Sequence, residues 1–313
     1  MKHALGIDIG GTKIALGVVA HDGRILAQRT IPTHAPGGFD SAVQRLGDAA
    51  RAALGECGVP PEFLSGVGVG CTGPVNPRTG VIDNPHTLPG WEGRNLIAAL
   101  STGMELPVWL ENDADAAALG EYHYGAGERT DRMVMLTFGT GIGGAILLDG
   151  RIYRGAAGEH PEIGHLAALP GGPACYCGCN GCVESLASGP AITSAGQELG
   201  FTDAASVFAA APGDERAQRV LAGVRHATDT LVWGVLHSFL PARLVLGGGL
   251  VEAQPDFFLE IARATVDRAR LLVSAAVTVA PAQCGNLAGV VGAARLAIDS
   301  AASPRPPQPA LTP

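Results

Sequence analysis

An α/β fold with two domains and mixed sheets is predicted by three features of the sequence. The length of 313 residues suits about two domains of roughly 150 residues each. The first thirty residues read as three apolar runs joined by tight turns, which predicts an antiparallel meander rather than a strand–helix unit. A glycine turn followed by an Asp-Gly hairpin recurs from residue 133, which indicates an internal duplication.

Apolar spacing and turn residues predict the elements along the chain. Two Asp-Gly pairs, at 22–23 and 149–150, lie between apolar runs, as in a β-hairpin. Residues 39–57 have apolar side chains at helical spacing, and Gly58 after them is a helix stop. The predicted strands are residues 5–9, 14–20, 25–31, 66–73, 107–113, 133–138, 145–148, 151–155 and 243–250, and the predicted helices are 39–57, 114–125, 217–240 and 286–298.

Composition and charge narrow the class of protein. The chain carries 21 basic and 29 acidic residues, and its net charge of −8 argues against nucleic-acid or membrane-surface binding, which needs a basic face. The hydrophobic content of 47% and the mean hydropathy of +0.23 are those of a globular protein, and no apolar run reaches the roughly 18 residues of a membrane span. Because the first strand follows Met1 closely without a secretory signal, we expect a cytoplasmic protein. The proline-rich residues 301–313 are expected to form a disordered tail.

The most specific chemical signal is a segment rich in cysteine, histidine and glycine. His165, Cys175, Cys177 and Cys182 supply one imidazole and three thiols, which is the ligand set of a closed tetrahedral zinc site. Cys179 is then a spare thiol. Disulfides, redox use and free thiols in a loop are the alternatives, but metal binding is favoured where no export signal is present, since the cytosol keeps thiols reduced.

Three glycine-rich loops follow predicted strands. The string GTGIGG at 139–144 fits the G-x-G-x-x-G pattern, but a strand rather than a helix follows it, so we expect no nicotinamide cofactor. Glycines let backbone N–H groups approach a phosphate, and Thr12 and Thr140 each add a hydroxyl group. Asp8 at the end of the first strand suits a water ligand of Mg²⁺, and the loop at 247–249 offers a flat surface to a purine or ribose. Ordinary tight turns are the alternative for each loop taken alone.

Asn112 and Asp113 lie where a predicted strand passes into a helix. A carboxylate at this position is often only a helix N-cap. The alternative is a general base, because Asp113 at a domain boundary is placed to take the proton of a hydroxyl group. The sequence leaves both roles open.

Together these motifs resemble those of the ROK family (repressor, open reading frame, kinase), whose enzymes are bacterial-type sugar kinases. The resemblance covers nearly the whole chain and implies the two-lobed actin-like/hexokinase (ribonuclease H-like) ATPase fold. It implies a smaller lobe of residues 1–114 plus 287–300 and a larger lobe of residues 115–286 that carries the zinc loop. The motifs are DIGGTK (8–13), LPGW (88–91), END with ADAAALGE (111–121), GTGIGG (139–144), EIGH (162–165), CYCGCNGCVE (175–184) and LGGGL (246–250).

The resemblance also implies a role for each motif. Asp113 would be the general base, and a structural zinc would hold the loop that carries Glu162 and Glu184. The implied sugar-binding residues are Asn112, Asp113, Glu162, His165, Glu184 and Gly73. The implied ATP and Mg²⁺ site is Asp8, Gly10, Gly11, Thr12, Lys13, Thr140, Gly141, Gly247, Gly248 and Gly249, and the implied zinc ligands are His165, Cys175, Cys177 and Cys182.

Three departures from the family pattern bear on the choice of sugar. Thr87 stands before LPGW where many members carry Asn, His160 and Pro161 precede EIGH, and residues 71–74 form a different loop near C2 of the sugar. The implied activity is an ATP-dependent hexose kinase acting on the 6-hydroxyl, with glucose as the first candidate substrate. N-acetylmannosamine, N-acetylglucosamine and fructose follow in that order.

Two non-enzymatic classes are less consistent with the sequence. Family repressors carry a winged helix-turn-helix before the DxGGT motif, whereas Asp8 comes seven residues after Met1. A sugar-sensing regulator without catalysis would be expected to lose Asp113 or the phosphate-binding threonines, and both are present. Such kinases are commonly homodimers or homotetramers through the larger lobe, and we expect the same here, without a nucleic-acid or membrane partner.

Overall fold

The computed structural model of the chain describes residues 3–156, 158–273 and 276–302. The strands in these ranges are β1 (His3–Ile9), β2 (Lys13–Ala20), β3 (Ile25–Pro32), β4 (Leu64–Cys71), β5 (Val108–Asn112), β6 (Arg132–Phe138), β7 (Ile142–Leu148), β8 (Arg151–Ile152), β9 (Arg243–Gly247) and β10 (Thr278–Pro281). The α-helices are α1 (Phe39–Cys57), α2 (Leu96–Met104), α3 (Asp113–Tyr124), α4 (Val183–Ala187), α5 (Gly189–Gln197), α6 (Ala204–Ala210), α7 (Glu215–Phe239), α8 (Gly249–Ala253), α9 (Pro255–Ala269) and α10 (Ala288–Ala302).

The first sheet has the strand order β3-β2-β1-β4-β5. The first three strands form the expected antiparallel meander, and β1, β4 and β5 run parallel to one another. Parallel strands end at the same edge of a sheet, so the residues that follow β1, β4 and β5 come close together. This edge carries most of the candidate residues of the first half of the chain.

Small residues bring two helices very close to the first sheet. Helix α10 packs on β1, β4 and α3. A Cβ atom at Gly68 of β4 would overlap the carbonyl oxygen of Ala293 in α10, and one at Gly292 would overlap the carbonyl oxygen of Ala116 in α3. The missing side chains therefore allow contact between backbones. Helix α1 packs on β2 and β3 through a buried stripe that includes Leu46.

The second sheet has the order β10-β9-β6-β7-β8. Strands β6, β7 and β8 are antiparallel neighbours, whereas β6, β9 and β10 are parallel. Read from the opposite edge, this is the order and direction pattern of the first sheet. The duplication that the sequence indicates is thus present as a repeated sheet topology.

Large apolar side chains fill the core of the second sheet. Phe138 at the end of β6 packs against Phe258 of α9, with ring centroids 4.8 Å apart. The long helix α7 packs on α9 and buries a stripe of residues that includes Leu231 and Val235. Contacts between Cα atoms divide the chain into two units. The first unit comprises the described parts of Met1–Gly125, Arg154–His160 and Asn286–Pro313, and the second those of Ala126–Tyr153 and Pro161–Gly285.

The predicted α/β class with mixed sheets is confirmed, but the predicted elements are incomplete. The elements that were not predicted are α2, α4, α5, α6, α8, α9 and β10. Other differences lie at element ends. Strand β8 contains two residues rather than five, and α10 runs to Ala302. The helix therefore continues two residues into the segment predicted as a disordered tail, and residues 303–313 of that tail lie outside the described residues. The helix stop at Gly58 is confirmed, since this residue has φ of 65° and its N–H caps α1.

Candidate active site

Two carboxyl groups lie at the edge of the first sheet where β1, β4 and β5 end. Asp8 is the second-last residue of β1, and Asp113 directly follows β5. Burial raises the pKa of Asp8 to about 7, and repulsion from Asp113 adds to the shift, while Lys13 opposes it. Burial also raises the pKa of the Cys71 thiol well above its ordinary value, with both carboxylates adding to the effect. The repulsion between Asp8 and Asp113 indicates that their carboxyl groups lie close to each other.

Asn112 and Asp113 share the first free N–H group of α3. Asn112 is the N-cap, and its Oδ1 accepts a hydrogen bond from the Ala114 N–H at 2.8 Å. The Oδ1 of Asp113 accepts from the same N–H at 2.9 Å. Because Asn112 already caps the helix, capping does not require Asp113. The helix N-terminus stabilises the anionic form of the Asp113 carboxyl group.

The first glycine turn lies between β1 and β2. The N–H of Gly10 donates to the carbonyl oxygen of Lys13 at 3.0 Å, and Thr33 donates its hydroxyl to the Gly10 carbonyl at 2.6 Å. A Cβ at Gly11 would overlap the methyl group of Thr87. The turn thus needs glycine at position 11, and it leaves Thr12 and Lys13 exposed. Its contact with Thr87 could not be read from the sequence.

The second glycine turn lies between β6 and β7, and the carboxylate of Glu184 binds it. The Oε2 atom of Glu184 accepts a hydrogen bond from the Ile142 N–H at 2.9 Å, and a Cβ at Gly141 would stand 2.8 Å from this oxygen. The sequence pointed to Glu184 only as a sugar ligand. In the structure it also fixes the turn that contains Thr140.

The third glycine loop packs against the second turn. Gly248 has φ of 90°, and a Cβ there would overlap the Phe138 carbonyl oxygen at the end of β6. Gly249 begins the short helix α8, so backbone N–H groups remain available at this end of the sheet. Gly247 ends β9 beside them.

Four side chains of the second unit form a cluster that can hold a metal ion. They are His165, Cys175, Cys177 and Cys182, and their ligand atoms all lie within 4.8 Å of one another. The Nδ1 of His165 lies 3.6 Å from the Cys175 Sγ, and the sulfur atoms of Cys177 and Cys182 are 3.4 Å apart. The edges of a tetrahedral zinc site with such ligands are about 3.6–3.8 Å long. The donor set and its spacing therefore fit zinc.

Glycines and short backbone bridges shape the loop around this cluster. The N–H of Cys175 donates to the carbonyl oxygen of Cys179 at 2.9 Å, and Gly178 has φ of 91°. Cys179 is not part of the four-residue cluster. All seven cysteines are free thiols, so the disulfide alternative does not describe this structure.

The EIGH motif packs on β7 beside the cysteine loop. A Cβ at Gly164 would overlap the Ile142 carbonyl oxygen, which explains the glycine. Glu162 is exposed, and its carbonyl oxygen accepts from the His165 N–H at 3.0 Å. The hydroxyl group of Tyr176 lies 3.1 Å from the Nε2 of His165. Sequence reasoning missed this tyrosine, although its position between Cys175 and Cys177, two of the predicted zinc ligands, was a signal.

A second set of residues that the sequence did not assign surrounds the turn from β5 into α3. Arg154 forms ion pairs with Glu111 and Asp115, and the Nδ1 of His160 lies 2.8 Å from the Asp115 Oδ2. The side chain of Asp115 is fully buried. The position of His160 before EIGH singled it out in the sequence, but its partner is 45 residues away.

The structure therefore gathers the predicted site residues into two groups, one in each unit. Around the edge of the first sheet are Asp8, Gly10, Gly11, Thr12, Lys13, Gly73, Asn112 and Asp113. Around the end of the second sheet are Thr140, Gly141, Glu162, His165, Cys175, Cys177, Cys182, Glu184, Gly247, Gly248 and Gly249.

Comparisons with known proteins show which family the chain resembles. The model of the ROK family matches residues 4–300. A glucokinase of Thermotoga maritima is 31% identical over 310 residues, covering 93% of this chain and 96% of its own. An N-acetylmannosamine kinase of Citrobacter koseri is 37% identical over 301 residues, covering 94% and 98%. The crystal structure of a ROK family glucokinase from Streptomyces griseus, in complex with glucose and AMPPNP, has a TM-score of 0.76 at 31% identity and covers 95% of this chain and 99% of its own. Among the described residues, no helix combines the length and apolar character needed to cross a bilayer.

Proposed function

The chain belongs to the ROK family, and we propose that it is an ATP-dependent kinase that phosphorylates the 6-hydroxyl group of a hexose, with glucose as the first substrate. The observation that carries the proposal is the pair of carboxyl groups of Asp8 and Asp113 at one sheet edge. One is placed to bind a cation, and the other to act as a base. The glucose- and AMPPNP-bound relative supports both substrates.

Asp113 is the proposed general base. The Ala114 N–H donates to the Oδ1 of Asp113 and orients the carboxyl group that would accept the proton. The sugar 6-oxygen attacks the γ-phosphorus, its proton passes to Asp113, and the bond from the γ-phosphorus to the bridging oxygen breaks. ADP leaves with that electron pair. A positioned base contributes about 10²–10⁴-fold to such a rate.

Glycine turns and Asp8 form the proposed nucleotide site. Phosphoryl transfer depends mainly on positioning and on charge stabilisation, which backbone N–H groups and hydroxyl groups supply. Asp8 would hold Mg²⁺ through water, and the ion would neutralise phosphate charge. The proposed contacts are Asp8, Gly10, Gly11, Thr12 and Lys13 in the first unit and Thr140, Gly141, Gly247, Gly248 and Gly249 in the second.

Zinc is the metal proposed for the His165 cluster, with a structural role. Four protein ligands leave no open coordination position for substrate, so the ion would fix the loop rather than take part in the reaction. That loop leads directly into α4, whose first turn carries Glu184. The proposed sugar contacts are Gly73, Asn112, Asp113, Glu162, His165 and Glu184.

A coupled ADP-release assay with purified protein and a panel of hexoses tests the proposal. Asp113→Asn should lower kcat by about 10²–10⁴-fold. Asp40→Asn is the matched control, because Asp40 also lies in the first turn of a helix in the first unit but pairs with the exposed Arg94. Turnover of glucose that survives Asp113→Asn would rule out the proposed base. No turnover with any hexose would rule out the kinase function.

N-acetylmannosamine is the second candidate substrate. The N-acetylmannosamine kinase relative is 37% identical, compared with 31% for the Thermotoga glucokinase. The same assay separates the two, because the preferred sugar has the larger kcat/KM. N-acetylglucosamine and fructose complete the panel.

We further propose a homodimer or homotetramer in the cytoplasm, where reduced thiols stay available for zinc. The second unit exposes apolar side chains that a second copy could cover. The side chains of Leu166 and Leu169 are 45% and 42% exposed, and that of Trp233 is 37% exposed. Trp233 lies near Leu166, because a Cβ at the next residue, Gly234, would contact the Leu166 side chain. Light scattering of the purified protein should give twice or four times the chain mass of 31.7 kDa. A mass of one chain would refute this.

A further inference from the structure

The turn that carries Asn112 and Asp113 is bracketed by two acidic side chains that face one guanidinium group. Glu111 is the residue before Asn112 in β5, and Asp115 lies in the first turn of α3. Arg154 pairs with the Oε2 of Glu111 through one terminal nitrogen and with the Oδ2 of Asp115 through the other. It therefore bridges a point two residues before Asp113 and a point two residues after it.

This cluster is buried away from solvent. The side chain of Asp115 is 0% exposed, and those of Glu111 and Arg154 are 14% and 18% exposed. His160 donates from its Nδ1 to Asp115, since a carboxylate oxygen is the acceptor, and its side chain is 10% exposed. The carboxylates of Glu111 and Asp115 therefore have their charged partners in the segment 154–160, about forty residues later in the sequence.

The segment from Arg154 to His160 is folded so that both of its ends reach α3. The Gly155 N–H donates to the carbonyl oxygen of Glu159, and the Gly158 N–H donates to that of Gly155, both at 2.9 Å. Together with the shared partner Asp115, these two bonds bring Arg154 and His160 close to each other. The segment follows β8, yet by its contacts it belongs to the first unit.

A buried ion pair is a weak source of stability, because desolvation offsets much of the attraction between the charges. Its better-supported use is to fix one geometry among several. A guanidinium group has planar donors at fixed angles and can bridge two carboxylates, which the single ammonium group of lysine cannot do in the same way. The cluster is suited to fixing the bend between β5 and α3.

We propose that Arg154 and His160 are positioning residues for Asp113, and that they hold the strand-to-helix turn in the geometry in which Asp113 takes the sugar proton. The inference rests on the proposed function, in which Asp113 is the base. The bridge sets the separation of Glu111 and Asp115. The three residues between them, which include the base, follow that separation. Neither Arg154 nor His160 needs to touch the sugar.

Arg154→Lys is the main test, because it keeps the charge and removes the bridge. The matched control is Arg295→Lys, since Arg295 is 13% exposed in the same unit and pairs with Asp299 within α10. We expect kcat to fall about 10–100-fold in Arg154→Lys, because a misplacement of about 1 Å can cost about 10²-fold. Arg295→Lys should stay within about twofold.

Binding of a non-hydrolysable ATP analogue separates positioning from loss of fold. In a positioning role, Arg154→Lys binds one analogue per chain with unchanged Kd while kcat falls. If the binding stoichiometry falls in the same proportion as kcat, or if kcat matches the Arg295→Lys control, the inference is overturned.

Paired substitutions at His160 give a second, milder test. His160→Asn keeps an N–H donor near the Nδ1 position, whereas His160→Ala removes it. We expect His160→Ala to lower kcat about tenfold, as loss of a hydrogen bond to a charged group does, and His160→Asn to retain most of the activity. Equal activity of the two variants would contradict the role of His160.

Asp113→Asn, measured in parallel, distinguishes failure of the proposed base from failure of the positioning role of Arg154 and His160. If it remains active, Asp113 is not the base, and both the proposed chemistry and the inference fail. If it is inactive while Arg154→Lys behaves like its control, the inference alone fails.

Discussion

The two sheets share strand order and direction, but helices approach them in different ways. In the first unit, glycines such as Gly68 and Gly292 allow α10, β4 and α3 to meet backbone to backbone. In the second unit, large side chains such as Phe138 and Phe258 separate the layers. One repeated topology therefore accommodates two kinds of packing.

The two sheets also carry different side chains at equivalent strand ends. Asp8 is the second-last residue of β1, whereas Thr137 is the second-last residue of β6. The first sheet thus places carboxylates where the second has a hydroxyl group and glycine turns. A side chain in a glycine-packed layer has little room to shift, because its surroundings are backbone. We therefore expect the first unit to hold the Asp8 and Asp113 carboxyl groups rigidly through its backbone contacts, and the second unit to depend on its cysteine loop for rigidity.

The largest effect is expected from Gly68→Ala. The added Cβ would overlap the Ala293 carbonyl oxygen, and neither backbone segment can move without losing its own hydrogen bonds. We expect the free energy of unfolding to fall by more than about 3 kcal/mol, measured by urea denaturation. An unfolding free energy close to that of the unsubstituted protein would show that the layers are not in backbone contact.

Asp8→Asn should stabilise the metal-free protein at neutral pH. Burial raises the pKa of Asp8 to about 7, whereas its value in an unfolded chain is about 4. Between about pH 4 and pH 7, Asp8 has lost its proton in the unfolded chain but keeps it in the folded chain. The free energy of unfolding therefore falls as the pH rises through this range, and the contribution of Asp8 stays constant above about pH 7. The variant should gain about 2–3 kcal/mol at pH 8 and little at pH 4, after allowance for partial exposure.

Urea denaturation at both pH values in magnesium-free buffer measures this difference. Asp40→Asn serves as the control, because the exposed Asp40 has no comparable burial. A gain of equal size at both pH values would mean that the Asp8 carboxyl group is not the titrating group.

If the His165 cluster holds the proposed zinc, removal of the metal should weaken sugar binding more than nucleotide binding. Chelation is expected to weaken glucose binding by at least about tenfold and to leave binding of an ATP analogue within about twofold, as measured by calorimetry. Cys177→Ser should reproduce the effect, and Cys179→Ser should not, because Cys179 lies outside the four-ligand cluster. Parallel loss of both ligands would argue against a local role for the metal.

The smallest effect is expected from Gly223→Ala in α7. A Cβ at this position meets no atom within 4 Å, unlike one at Gly68. Replacing a helix-interior glycine with alanine should therefore raise the free energy of unfolding by about 0.5–1 kcal/mol. The measurement is the same urea denaturation, and a loss of stability would show that glycine is needed in the second unit as well.

Local signals in the sequence predicted the first meander and four of the helices, but they missed others such as α9. The helix over Phe39–Cys57 and the hairpin at Asp22-Gly23 follow from spacing and turn residues that act within a few positions. The cluster of His165 with three cysteines also rests on a local pattern, since Cys175, Cys177 and Cys182 lie within eight residues. The roles assigned to the site residues remain predictions, because they concern ligands rather than the fold.

Long-range contacts could not be predicted in the same way. The pairing of Arg154 with Glu111 spans 43 residues, and nothing in the local pattern identifies its partner. The hydrogen bond from the Ile142 N–H to Glu184 spans 42 residues and joins β7 to α4. Each requires the sheet order before it can be inferred.

Helix α10 has a consequence for the synthesis of the chain. It packs on β1 and β4, which leave the ribosome more than two hundred residues earlier. Until α10 emerges, the glycine-lined face of the first sheet lacks its covering helix and exposes strands that are open to wrong pairing. The second unit, interrupted only by Arg154–His160, can complete its core sooner. The half of the chain that is made first is therefore the half that finishes folding last.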